Sequence, residues 1–86
     1  MLSEKEIQEI ELRVDQAQNG PWKAYIEGRD HESGSNFIKT GSEEEPGVDI
    51  ELTGATIADI DFIANAKQDI PKLIQEIKEL ISQIQE

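Results

Sequence analysis

From Asp59 to Glu86 the chain carries an amphipathic helical pattern, interrupted once at Asp69-Ile70-Pro71. Before the interruption Ile57, Ile60, Ile63 and Ala64 share a face, flanked by Phe62. After it Ile70, Leu73, Ile74, Ile77, Leu80, Ile81 and Ile84 recur three and four apart, which is the spacing of one broad apolar helical stripe. Proline is best tolerated in the first turn of a helix, and an aspartate just ahead of it is a good cap. The pattern therefore predicts two helices with a tight junction, or one kinked helix. The stripe is also larger than a small sheet needs as cover. Most of it is expected to cover the sheet and the first helix; the alternative for its distal part, Leu80, Ile81 and Ile84, is to pack on a second copy or on another protein.

The remaining length confines that helical region to one small domain. Eighty-six residues make a single domain with one modest core. Thirteen isoleucines and few aromatics predict an aliphatic core, with Trp22, Phe37 and Phe62 as large anchors. The burial expected is of Trp22, Ile26, Val48, Ile50, Leu52, Ile63 and Leu73. The absence of cysteine excludes disulfides and thiolate metal sites and suits a reducing cytoplasm. No stretch approaches the roughly 18 apolar residues of a membrane span, and Met1–Glu6 lacks the layout of a signal peptide. The expected location is cytoplasmic.

The N-terminal third opens with a helix. Ser3 and Glu6 have capping-box spacing, and Leu2 and Ile7 occupy the staple positions. Ile7, Ile10, Val14 and Ala17 continue as one stripe. Asn19-Gly20-Pro21 should stop it, with Gly20 suited to a left-handed cap. Three short strands follow, 22–27 and 48–53 in alternation and a shorter one at 36–40, separated by polar segments with turn chemistry at 28–35 and 41–47. Thr56 then caps a helix starting near Ile57, with Asp59 as its box partner. The fold class expected is α+β in the order α-β-β-β-α-α, a three-stranded antiparallel sheet with helices packed on one face.

Composition narrows the functions. A formal net charge of −11 repels phosphate backbones and anionic membranes, so direct nucleic-acid binding and membrane binding are not expected. An acidic surface can meet a basic partner or act as a decoy for a nucleic-acid-binding protein. His31 is the sole histidine. It lies among charges in a glycine-flanked loop, without a matching nucleophile or metal motif, so no catalytic residue, metal or cofactor is assigned. Asp59 and Asp61 project about 200° apart on a helix and do not form an acid–base pair. The 28–34 segment lacks the lysine of a P-loop. Arg29 there, with His31 and with Tyr25 on the wet face of the first strand, forms the alternative reading: a small anionic-ligand or nucleotide-binding module.

Two further segments resemble a known group. Asn19-Gly20-Pro21-Trp22 follows a short first helix. Later, Asp61-Phe62-Ile63-Ala64-Asn65-Ala66-Lys67-Gln68-Asp69-Ile70-Pro71-Lys72-Leu73-Ile74 leads into an amphipathic tail. Together these resemble short phage and prophage proteins of the lambdoid Ea22-like early-region family. That family carries an Ala-Thr-Pro-Gly-Pro-Trp segment and a later Asp-x-x-Phe-Ile-Ala-x-Ala-Arg segment before a proline and a leucine-rich helix. Here Asn19 stands in place of the Thr-Pro, and Lys67 where arginine is common. The likeness covers the two ends of the chain and leaves out the middle. It carries no established activity. Its residues imply scaffold: a turn at Gly20-Pro21, an anchor at Trp22 and a packed helix face at Phe62, Ile63 and Ala66. The function expected is that of a non-enzymatic accessory protein acting through protein contacts with an unidentified partner, with a homodimer through the last helix as a further expectation.

Overall fold

The computed structural model describes residues 1–85. Helix α1 spans Glu4–Gln16, strands β1, β2 and β3 span Trp22–Tyr25, Phe37–Thr40 and Ile50–Glu51, and helix α2 spans Ile57–Gln85. The three strands form one antiparallel meander in the order β1-β2-β3, so the chain is α+β with its helical layer packed against a three-stranded sheet through α2.

Both helices start as the sequence dictates. The Ser3 hydroxyl accepts the Glu6 N–H at 3.1 Å, and the Glu6 carboxylate accepts the Ser3 N–H at 3.2 Å. Thr56 and Asp59 repeat this reciprocal arrangement ahead of α2, at 3.1 and 3.0 Å. Each box satisfies two backbone groups that a helix start leaves without a partner.

The two helical stretches expected at the C-terminus form one helix, with Pro71 inside it. Proline removes one intrahelical hydrogen bond, a cost of about 3 kcal/mol. The buried face, however, continues across the proline: Ile60 and Ala64 are buried before Pro71 and Ile74 just beyond it. Packing on both sides of the proline therefore holds the helix in one piece.

The core sits between α2 and one face of the sheet. Ala24 and Ile26 from β1 and its end, Ile38 from β2, and Ile60 and Ala64 from α2 form it, with Trp22, Ile50, Leu52 and Ala55 packed at its border. It is aliphatic, but its anchors are isoleucines. Trp22 is half-buried, Phe37 lies on the opposite sheet face, and Phe62 is 75% exposed. Three further expectations of burial fail. Val48 is 73% exposed, Leu73 62% and Ile63 37%. Val48 falls outside β3 because its N–H is taken by the Gln18 side chain at 2.7 Å and its carbonyl by the Thr40 hydroxyl at 2.9 Å. Ile63 and Leu73 lie on the flank of α2 that nothing covers.

Helix α1 packs beside α2 and not on the sheet. The pairing is antiparallel: Ile7 shares a cleft with Ile81, and Val14 one with Pro71 and Ile74. Glu11 and Lys78 close the contact with a 2.8 Å ion pair. Helix α1 ends at Gln16, with Ala17 as its extended cap, so Gly20 does not serve as a left-handed cap. Instead the Lys67 ammonium, 2.6 Å from the Val14 carbonyl, satisfies an orphan carbonyl at the negative end of the helix.

Candidate functional site

The loop between β1 and β2 is fixed by its own side chains. Gly28 takes φ +80°, open to glycine without strain. The Ile26 carbonyl accepts the N–H groups of Arg29 and Asp30 at 3.0 and 2.8 Å, and the Asp30 carboxylate accepts the Ile26 N–H at 2.8 Å. Strand β1 therefore ends at Tyr25. Arg29 then donates two parallel hydrogen bonds to Asp61 of α2, each 2.9 Å, and a third to Asp30 at 3.0 Å. This fork is the strong form of a charge-assisted pair. The bond from the Ile26 N–H, and next the Arg29 guanidinium, hold the Asp30 carboxyl below its usual range. The Arg29 bonds do the same for Asp61, while the guanidinium itself is pushed further up.

His31 and Tyr25 lie elsewhere. Tyr25 stacks on its cross-strand partner Phe37, centroids 5.3 Å apart, and His31 meets Phe37 edge-on at 5.1 Å. The Nδ1 atom of His31 lies 2.6 Å from the Ser33 hydroxyl and accepts the Ser33 N–H at 3.2 Å. That places the proton of the neutral ring on Nε2, which is buried without a hydrogen-bonding partner. The imidazole thus closes its own loop over an aromatic pair. The structure brings His31 and Tyr25 together and turns Arg29 away from them, toward α2. The three residues do not converge on one ligand, and the guanidinium that would hold an anion already holds two carboxylates.

The second candidate surface is the uncovered flank of α2. Phe62, Ile63, Ala66, Ile70, Leu73, Ile77, Leu80 and Ile84 fall on one side of the helix, three or four residues apart from Ile63 onward, with Phe62 next to Ile63. Ile84 is 80% exposed, Leu73 62% and Leu80 50%. Along its edge, Ile10 and Val14 of α1, the cap residue Ala17, and Ile63, Ala66 and Ile70 of the flank line a shallow groove of about 320 Å³. Of the three residues expected at an interface, Leu80 and Ile84 belong to this flank. Ile81 turns the other way, into the cleft with Ile7.

The spacing held the signal for the longer surface. Two apolar stripes interleave along α2: Ile60, Ala64, Ile74 and Ile81 face the sheet and α1, and the flank runs beside them. Counting all aliphatics as one stripe hides the second. Among the described residues no group of acidic or histidine side chains is placed to hold a metal ion, and no helix is long and apolar enough to cross a membrane. Compared with family models, curated proteins and solved structures, the chain matches none.

Proposed function

We propose that this chain is a non-enzymatic accessory protein of the phage or prophage type, working in the cytoplasm through protein–protein contact. The observation that carries the reading is the uncovered flank of α2 from Phe62 to Ile84. Single exposed apolar residues are ordinary on any surface. Five of them along about 33 Å of one helix side, with the half-buried Ala66, Ile70 and Ile77 between them, are the mark of a surface that another protein covers. The run holds no charge, as the centre of an interface does, in a chain whose net charge is −11. The reading as an anionic-ligand module has less support, because Arg29 is already engaged by Asp30 and Asp61.

The test is capture of protein from cell lysate by tagged chain, with Leu73→Glu and Ile84→Glu as comparisons. Both positions are solvent-exposed, so each variant should keep the helical circular dichroism of the parent. Loss of the captured proteins on either substitution is the expected result. A captured set that the substitutions leave unchanged would remove the basis of the reading.

A further inference from the structure

The molecule exposes more surface than its mass requires. Its accessible area is 6447 Å² for 9.7 kDa, whereas a compact monomer of that mass exposes about 5100 Å². Its radius of gyration is 15.8 Å, against about 12 Å for a compact chain of this length. The excess of roughly 1300 Å² is comparable to what a stable partner removes, since a standard interface hides about 800 Å² per partner and obligate homodimers hide more.

The flank of α2 is the apolar part of that surface, and three observations identify what covers it. First, α1 and α2 form an antiparallel two-helix layer. The sheet lies against one side of α2, and the opposite side is bare. Two antiparallel helices with a bare apolar face are half of a four-helix bundle. Second, Ala66, Ile70, Leu73, Ile77, Leu80 and Ile84 alternate steps of four and three. This is the 3.5-residue repeat of helices that pack along their length on other helices.

Third, a cation and two acids stand at opposite margins of the face, with Glu6 and Glu9 on the same margin as Arg13. Arg13 borders the groove on the α1 side and makes no ion pair among the described residues. Asp69 and Glu76, both exposed, lie just outside the apolar flank on the far side of α2. Arg13 lies between Glu11, which pairs with Lys78, and Val14, which shares a cleft with Pro71 and Ile74, so it stands near the level of Glu76 and within about two turns of Asp69. A two-fold rotation about an axis parallel to the helices lays α1 of one copy over α2 of the other. It brings each Arg13 toward the other copy's Asp69 and Glu76. A rotation about an axis across the helices would instead bring the four acids together, which like-charge repulsion opposes.

We infer that the occupant of the face is a second copy of this chain, joined by a two-fold axis parallel to α1 and α2 into a four-helix bundle with the two sheets on its outer sides. The inference rests on the reading of this flank as a contact surface. It is self-complementary, as an isologous interface must be.

Sedimentation velocity of the full chain at tens of micromolar tests it. A dimeric mass is expected, falling to the monomeric mass for Leu73→Glu with helical circular dichroism retained. Arg13→Glu should raise the dimer dissociation constant at least tenfold, and adding Glu76→Arg should restore most of that loss. A monomeric wild-type chain would overturn the second copy as occupant, and so would a dimer that survives Leu73→Glu. Failure of the charge swap to rescue would overturn the proposed axis. A monomeric wild type whose capture of other proteins still depends on Leu73 and Ile84 would overturn this inference alone. A monomer whose capture ignores those residues would overturn the reading of the flank as well.

Discussion

The side-chain amide of Gln68 satisfies both backbone polar groups of Trp22. Its oxygen accepts the Trp22 N–H at 2.7 Å, and its nitrogen donates to the Trp22 carbonyl at 3.1 Å. Trp22 opens the edge strand β1, where these groups would otherwise have no strand beside them. One glutamine of α2 thus does for the edge what a neighbouring strand would do. The adjacent Lys67 reaches the end of α1 and lies 5.7 Å from the Trp22 ring centroid. Two consecutive residues of α2 therefore tie the first helix, the first strand and the last helix together.

Gln68→Ala removes both bonds and leaves part-buried donor and acceptor groups unpaired. Losing a partner in that setting costs about 1–3 kcal/mol. The unfolding midpoint in urea should fall accordingly with the slope unchanged, because the variant alters stability without altering the surface exposed on unfolding. Gln68→Glu keeps the acceptor and loses the donor, and should fall between the two. A Gln68→Ala midpoint equal to that of the parent would show the amide to be replaceable by water.

Lys67→Met keeps the length of the side chain and removes the ammonium. The Val14 carbonyl then loses its donor, and Trp22 loses a cation over its ring, so a loss of about 1 kcal/mol is expected. Intrinsic fluorescence of Trp22, the sole tryptophan, reports the same event directly. Lys67→Arg should retain most of the stability, since a guanidinium can reach the same carbonyl and stack on the same ring.

The Arg29 fork makes part of the stability depend on pH. Asp61 and Asp30 both have carboxyl pKa values lowered in the fold from 3.8. A lowered carboxylate pKa contributes stability that is fully present above the unfolded value and is lost as pH falls through the folded value. Chemical denaturation of wild type and Asp61→Asn should therefore differ by a constant amount at neutral pH. That difference should shrink as pH drops below about 4. A gap that stays constant down to the acid limit would show that the fork contributes through shape alone.

The loop from Gly41 to Gly47 sets the register of β2 against β3, and its Gly41 differs in kind from Gly28. Gly41 takes φ +79°, and a Cβ there would collide with the Glu45 carbonyl oxygen, which is backbone and cannot swing aside. Gly28 has φ +80° but open space around the position where a Cβ would stand. Gly41→Ala should then cost well over 2 kcal/mol, and Gly28→Ala about 1 kcal/mol from conformation alone. Thermal melts of the two variants, measured side by side, check the ordering. Equal losses would mean that the 41–47 loop rearranges freely.

Local chemistry made much of this fold legible in the sequence. Both capping boxes, the alternation of β1 and the polar turns on either side of β2 follow from residues a few places apart, and the structure has them. What the sequence hid depends on contacts between distant residues. Val48 reads as a strand residue until Gln18, thirty positions earlier, takes its N–H. Asp69-Ile70-Pro71 reads as a helix boundary until Ile74 is seen buried against α1. Arg29 reads as a free cation in a glycine loop until Asp61 arrives from another element. The same holds for the α2 flank. Periodicity says that a helix has an apolar side, but the placement of the sheet and α1 decides which of two sides is already covered.

Helix α2 allows those two sides to be told apart within one element. Ile60 is 1% exposed at the centre of the core, and its truncation to alanine should cost about 2–5 kcal/mol through lost burial and the cavity left behind. Leu73 is the same size and stands thirteen residues along the same helix, on the open flank. In a dilute monomer Leu73→Ala should change stability by no more than about 0.5 kcal/mol, because the side chain is in water before and after unfolding. Raising the protein concentration should separate the parent from Leu73→Ala. Association stabilises the folded chain by mass action, so the parent should gain stability with concentration and the variant should gain less. Ile60→Ala should keep the parent's concentration dependence while remaining less stable throughout. If Leu73→Ala proved as costly as Ile60→Ala at high dilution, the flank would be covered within the single chain and the division of α2 into an inner and an outer apolar side would be wrong.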